Sequence, residues 1–182
     1  MEKIFLAAAF LSILFLSSCS NAEVYYSVWS GNNSYSGGDY QKANTAYLQA
    51  LEKGFYPEYI SYNLANVYYA LGEADAAYTE WEKAVFTQST ELLFRTLYNR
   101  GILEFETGKY EKAFDSFKKA LELNPDSYNA KVNLEYSLRR MSAGSNASAA
   151  AAAGAQTSET NEISEEIQRI LEFIKKKDTS IW

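Results

Sequence analysis

The chain has no histidine and a single cysteine, Cys19. Without imidazole, the commonest general base and transition-metal ligand is missing, and one thiol excludes a disulfide within the chain. Proline is scarce too: only Pro57 and Pro125 interrupt 182 residues, so helices meet few breaks. Basic residues are outnumbered, with 17 Lys and Arg against 23 Asp and Glu, a net charge of −6. Such a chain lacks the basic face that releases counterions from nucleic acid. No glycine-rich phosphate loop, Ser/His/Asp arrangement or metal-ligand spacing occurs. The carboxylate pairs Glu80 with Glu82 and Glu111 with Asp115 fall on sides of regular helices that the periodicity assigns to solvent. These absences predict a protein that is not an enzyme and holds no cofactor or metal.

What remains is apolar and aromatic. Hydrophobic residues make up 47 % of the chain and tyrosine occurs 15 times, enough for one ordinary core. The stretch from Ser61 to Val85 reads as two short amphipathic helices broken at Gly72, neither able to bury its apolar stripe alone. Copies flank it. Gly38, Gly72 and Gly108 are spaced by 34 and 36 residues, and at fixed offsets follow Ala43, Ala77 and Ala113, then Tyr47, Trp81 and Phe117, then Ala50, Ala84 and Ala120. Small residues recur where helices approach closely, and aromatics where a gap must be filled.

The pattern resembles tetratricopeptide repeats. It is carried by Leu64, Ala65, Tyr68, Ala77, Trp81 and Ala84 in the middle copy and by Gly101, Ala113, Phe117, Ala120 and Pro125 in the third. The resemblance implies an all-α, right-handed solenoid of three helix-turn-helix repeats, at residues 24–57, 58–91 and 92–127, closed by a capping helix at 128–141. Ser30 and Arg100 stand where the family usually has leucine, and Ser34 and Glu104 where it favours an aromatic. In the first copy, Tyr25, Val28, Trp29 and Tyr35 are expected to supply apolar contacts; in the cap, Val132, Leu134, Tyr136 and Leu138.

At the N-terminus, Lys3 precedes an apolar run from Ile4 to Leu16, too short to span a bilayer comfortably, that ends in Leu16-Ser17-Ser18-Cys19. This ending resembles a bacterial lipobox, which implies a lipoprotein signal peptide at 1–18, lipidation (palmitate-type acyl chains) of Cys19, and a tether at 19–23. The expected location is therefore the bacterial cell envelope, with the periplasmic side of the outer membrane favoured and the inner membrane possible. Residues 142–160, rich in alanine and serine, are expected to be a flexible linker. A separate amphipathic helix follows at 161–177, with Ile163, Ile167, Ile170, Leu171 and Ile174 on one face, and residues 178–182 form a tail. It has two open roles: docking back onto the repeats, or recognition of another protein.

The resemblance implies a concave face made by the first helix of each repeat. Carried over by offset, the groove includes Tyr62, Asn66 and Tyr69, then Arg95, Tyr98, Asn99 and Phe105, with Asn32 and Tyr35 extending it. Asparagine amides can pair with a peptide backbone, and tyrosine adds contact area at modest entropy cost. The same side chains could instead pair with neighbouring helices. Asn66, Asn99 and Arg95 fall at positions similar to those of a carboxylate clamp, whereas Tyr62 and Tyr98 replace the basic residues that such a clamp needs. The segment Tyr128 to Arg140 further resembles the cap of small repeat proteins of Bacteroides-aerotolerance (Bat) type gene clusters, which implies von Willebrand A domain membrane proteins as partners. The expected function is a membrane-anchored protein–protein interaction scaffold. The alternatives are an assembly factor for outer-membrane proteins or pili and, from another class, an envelope enzyme that docks its substrate through the repeats.

Overall fold

The computed structural model describes residues 22–151, and within them every regular element is an α-helix. Helix α1 spans residues 22–36. It is followed by α2 (Tyr40–Glu52), α3 (Pro57–Ala70), α4 (Ala74–Ala84), α5 (Thr90–Glu106), α6 (Tyr110–Leu123) and α7 (Tyr128–Ala151). The chain divides into two compact units, the first ending at Thr87 and the second starting at Gln88. Among the described residues no helix is long and apolar enough to cross a membrane.

Local chemistry sets the helix boundaries. Asp39 caps α2 by accepting from the Lys42 N–H at 3.1 Å, and Ser89 caps α5 by accepting from the Leu92 N–H at 3.3 Å. Pro57 opens α3, where a missing N–H costs nothing. Between α3 and α4 the chain reverses at Gly72, whose φ of +79° places it in the left-handed region. The Glu73 N–H then reaches back to the Tyr68 carbonyl at 2.8 Å, closing the orphan end of α3. The same closure recurs from Asp39 to Ser34 and from Lys109 to Glu104, so the repeat read in sequence is a repeat of one turn geometry.

In the first unit Val24, Ala43, Tyr47, Ala50, Ile60, Leu64 and Val67 form the core, with Trp81 buried as well. In the second, Ala113, Phe117, Leu121, Ala130 and Leu134 do so. Burying each of the larger side chains contributes roughly 1.5–3 kcal/mol. The recurrent aromatic seats itself against a residue with little or no side chain. A Cβ on Gly101 would lie 2.7 Å from the Phe117 ring, and one on Gly31 would lie 2.6 Å from that of Tyr47.

Three expectations about packing need correction. In α1, Tyr25, Trp29 and Tyr35 are exposed, and Val24, Gly31 and Ser34 are the buried positions. The reason is that α1 packs through its small residues, where the Tyr47 ring needs room. In α7, Tyr136 is exposed, while Ala130, Leu134, Ser137 and Leu138 face inward at helical spacing. Glu80 is mostly buried, not solvent-facing; it sits near Tyr68 and forms an ion pair with Lys83 at 2.5 Å. Helix α7 also continues to Ala151, beyond Met141 where the sequence reading ends the cap. The first part of the alanine–serine stretch is thus helical, as alanine's propensity allows even without burial. Cys19 and the whole of the 161–177 helix lie outside the described residues.

The two unusual residues of α5 are partners. Glu104, 1 % exposed, accepts from the Ser116 hydroxyl at 2.6 Å and lies 3.7 Å from the Arg100 guanidinium. Where the middle copy has Leu64 and Tyr68 and the first has Ser30 and Ser34, this one holds a polar triad.

Candidate functional site

In the first unit, a pocket of about 210 Å³ is lined by Asn32, Tyr35 and Ser36 of α1, Tyr47 of α2, and Tyr59, Asn63 and Asn66 of α3. Helical geometry places the α3 members together. Residues 59, 63 and 66 are four and three apart, so they stack along one stripe. Tyr47 reaches the pocket because the recurrent aromatic extends toward α1, where its hydroxyl donates to Asn32 Oδ1 at 2.6 Å.

The lining carries no charged side chain. Burial pushes the Tyr47 phenol far above the usual tyrosine range, with Tyr59 and Tyr35 adding to the shift. Burial likewise raises Tyr35, helped by Tyr40 and Tyr62. Both therefore stay neutral at physiological pH and present O–H groups. The Asn63 Nδ2 is buried and has no hydrogen-bond partner among the described residues. Leaving such a donor unmet costs about 1–3 kcal/mol. The arrangement suits neutral hydrogen-bonding groups, above all peptide carbonyls and amides. It supplies no acid–base pair or nucleophile, and among the described residues no group of three or more His, Cys, Asp or Glu is placed to hold a metal ion.

The structure brings together three residues that the sequence reading placed in the groove, Asn32, Tyr35 and Asn66. Tyr62 is half-buried beside Tyr35, and Tyr69 leans on Trp81 with ring centroids 5.8 Å apart. Ser36, Tyr47, Tyr59 and Asn63 are lining residues that the sequence reading misses. Asn66 belongs to two stripes, Tyr62–Asn66–Tyr69 and Tyr59–Asn63–Asn66, and only the second lines the pocket. The four-then-three spacing of Tyr59, Asn63 and Asn66 was a signal that could have found it.

The α5 residues belong to the second unit. Arg95 is exposed and paired with Glu91 at 2.6 Å, and Asn99 is half-buried one turn further on. Tyr98 stacks on Phe94 and meets Phe117 edge-on, with centroids 6.2 and 5.7 Å apart; its hydroxyl accepts from Asn133 Nδ2 of α7 at 3.0 Å. Phe105 packs on the core and meets the Tyr110 ring at 5.3 Å. Tyr98 and Phe105 thus give much of their surface to the unit's own packing.

Residues 31–89 and 94–127 each match a model described as tetratricopeptide repeat, and together the matches span about half of the chain. The small glutamine-rich tetratricopeptide repeat-containing protein 2 of Mycosarcoma maydis is 30 % identical over 121 residues, 65 % of this chain. The chain spans 33 % of the length of that relative. Among solved structures, the first TPR of Spaghetti (RPAP3) bound to an HSP90 peptide superposes with a TM-score of 0.61 at 22 % identity, covering 66 % of this chain and 94 % of that one. The Sgt2 TPR domain from Aspergillus fumigatus also gives 0.61, at 23 % identity, covering 68 % and 82 %. At these identities the structural likeness speaks to the fold alone. The matched models span the turns at Gly38, Gly72 and Gly108, which repeat one geometry, and together with that fold they make the chain a member of the tetratricopeptide repeat family.

Proposed function

We propose that this protein is a lipid-anchored interaction scaffold of a bacterial envelope, which holds a partner peptide in the tyrosine–asparagine pocket of its first unit. The observation that carries the reading is the neutral pocket of tyrosine hydroxyls and asparagine amides lined by α1, α2 and α3. Hydroxyls and amides in such a lining favour a ligand that offers peptide carbonyls and amides. The related fold bound to an HSP90 peptide lends support for a peptide as occupant. Because the lining has no cation, an internal peptide segment fits it better than a free terminal carboxylate.

The anchor rests on the lipobox-like ending at Cys19. Acyl chains there restrict the repeats to a membrane surface and raise the effective concentration of membrane-borne partners, for which von Willebrand A domain proteins are the proposed class. The face of Ile163, Ile167, Ile170, Leu171 and Ile174 is a second proposed docking element.

Two results test the reading. The pair Asn63→Ala and Asn66→Ala should weaken capture of membrane cross-linking partners about tenfold, the loss of one to two net hydrogen bonds, while far-UV circular dichroism stays unchanged. Undiminished capture would move the site to α5 or to the C-terminal helix. Exported Cys19→Ala protein should partition into the soluble fraction, and its retention in membranes would remove the lipid anchor from the proposal.

A further inference from the structure

Helix α1 wears its largest side chains on the outside. Tyr25, Tyr26 and Trp29 are 62, 68 and 61 % exposed, while the buried positions of the same helix are Val24, Gly31 and Ser34. The aromatics form one patch. Residues 25, 26 and 29 share a helix face, the Tyr26 and Trp29 rings lie 5.9 Å apart, and the Tyr25 hydroxyl is 3.5 Å from that of Tyr56. Tyr56, 60 % exposed, is also the one non-glycine residue with a left-handed backbone among those described, at φ +50°. A conformation of that kind costs on the order of 1–3 kcal/mol, and here it holds an aromatic ring outward.

We infer that this patch, Tyr25, Tyr26, Trp29 and Tyr56, lies in the headgroup layer of the membrane to which Cys19 is anchored; the inference rests on the anchor proposed above. Three observations single out a lipid surface as occupant. First, reach: Tyr25 is six positions after Cys19, so whatever path the chain takes, the patch begins within about 20 Å of the acyl chains. Second, chemistry: the patch is tyrosine and tryptophan, with no leucine or isoleucine, the amphipathic rings that favour the boundary between acyl chains and water. Third, charge: the nearby carboxylate of Glu23 is matched by Lys53 at 2.9 Å, which blunts its repulsion from an anionic bilayer. The lipid alone would leave the first unit free to swing. With the patch seated, one face of α1 is turned to the bilayer.

The test uses the exported full chain in vesicles of phosphatidylethanolamine and phosphatidylglycerol with brominated acyl chains, which quench tryptophan only at membrane depth. Trp29 is read as the difference between the native protein and Trp29→Phe, which cancels the contributions of Trp81 and Trp182. The expected result is loss of most of the Trp29 emission, a blue shift of what remains, and protection from aqueous iodide. Mass spectrometry of Cys19 reads the anchor separately. Acylated Cys19 with Trp29 unquenched and open to iodide would overturn the inference and leave the anchor standing; protection that appears only on adding a protein partner or a second copy would overturn it as well. If Cys19 proves unacylated, the anchor falls. A maleimide lipid coupled to this sole cysteine then reads the patch alone, with quenching supporting a membrane-seeking face and its absence overturning one.

Discussion

Phe117→Ala should lower the stability of the protein by about 3–5 kcal/mol, the usual cost of emptying a large aromatic site in a core. The ring is fully buried and packs with Ala113, Leu121, Ala130 and Leu134, and the edge of Tyr98 closes one side. Nothing nearby can fill the space. Across from the ring stands Gly101, which has no side chain to extend into the void. The complementary change, Gly101→Ala, forces a Cβ to 2.7 Å from the ring and should cost about 1–3 kcal/mol by overpacking. Urea unfolding followed by far-UV circular dichroism measures both, and an unchanged slope certifies that stability alone has moved. A cost below about 1 kcal/mol for Phe117→Ala would mean that the ring is not packed as described. Tyr136→Ala, at an exposed site of α7, serves as control and should stay within about 0.5 kcal/mol.

The same residues explain what could be read without coordinates. Gly72, Ala77, Trp81 and Ala84 are local signals, because a turn that needs a left-handed residue and a helix that needs small neighbours leave a mark at fixed spacing. The orientation of a helix about its own axis leaves a weaker mark. In α1 the aromatics read as inward-facing because large apolar residues are usually buried, yet the packing against Tyr47 is made by Gly31, whose hydropathy says little. In α7 the buried Ala130 and Ser137 carry equally little signal, and Tyr136 drew the face toward itself. In α3, Asn66 sits on two overlapping stripes, and periodicity alone does not choose between Tyr62 with Tyr69 and Tyr59 with Asn63. The choice is made by Tyr47 and α1, which are remote in sequence. Three of the pocket's seven lining residues are therefore legible in the sequence, and Asn63, with its unmatched donor, is not.

Arg100→Leu should destabilise the protein by about 3–5 kcal/mol even though leucine is what the family usually carries at that position. In sequence, Arg100 and Glu104 look like two separate departures from the family pattern. In the structure they are one feature: they stand four residues apart on α5, with Glu104 almost wholly buried and held by the Ser116 hydroxyl on the other side. Bringing a carboxylate into this interior costs several kcal/mol, which the guanidinium and the hydroxyl offset together. Removing only the cation leaves the carboxylate with its desolvation cost and one neutral donor. Removing both charges removes that cost at its source, so Arg100→Leu combined with Glu104→Leu should recover most of the stability lost by Arg100→Leu alone. The double-mutant cycle, measured by urea unfolding, should give a coupling of about 1–3 kcal/mol. A simple sum of the single effects would show that the two side chains do not act as a pair. Recovery in the double variant would instead establish that repeat three has exchanged an apolar contact for an ionic one, confined to the copy where serine occupies position 116.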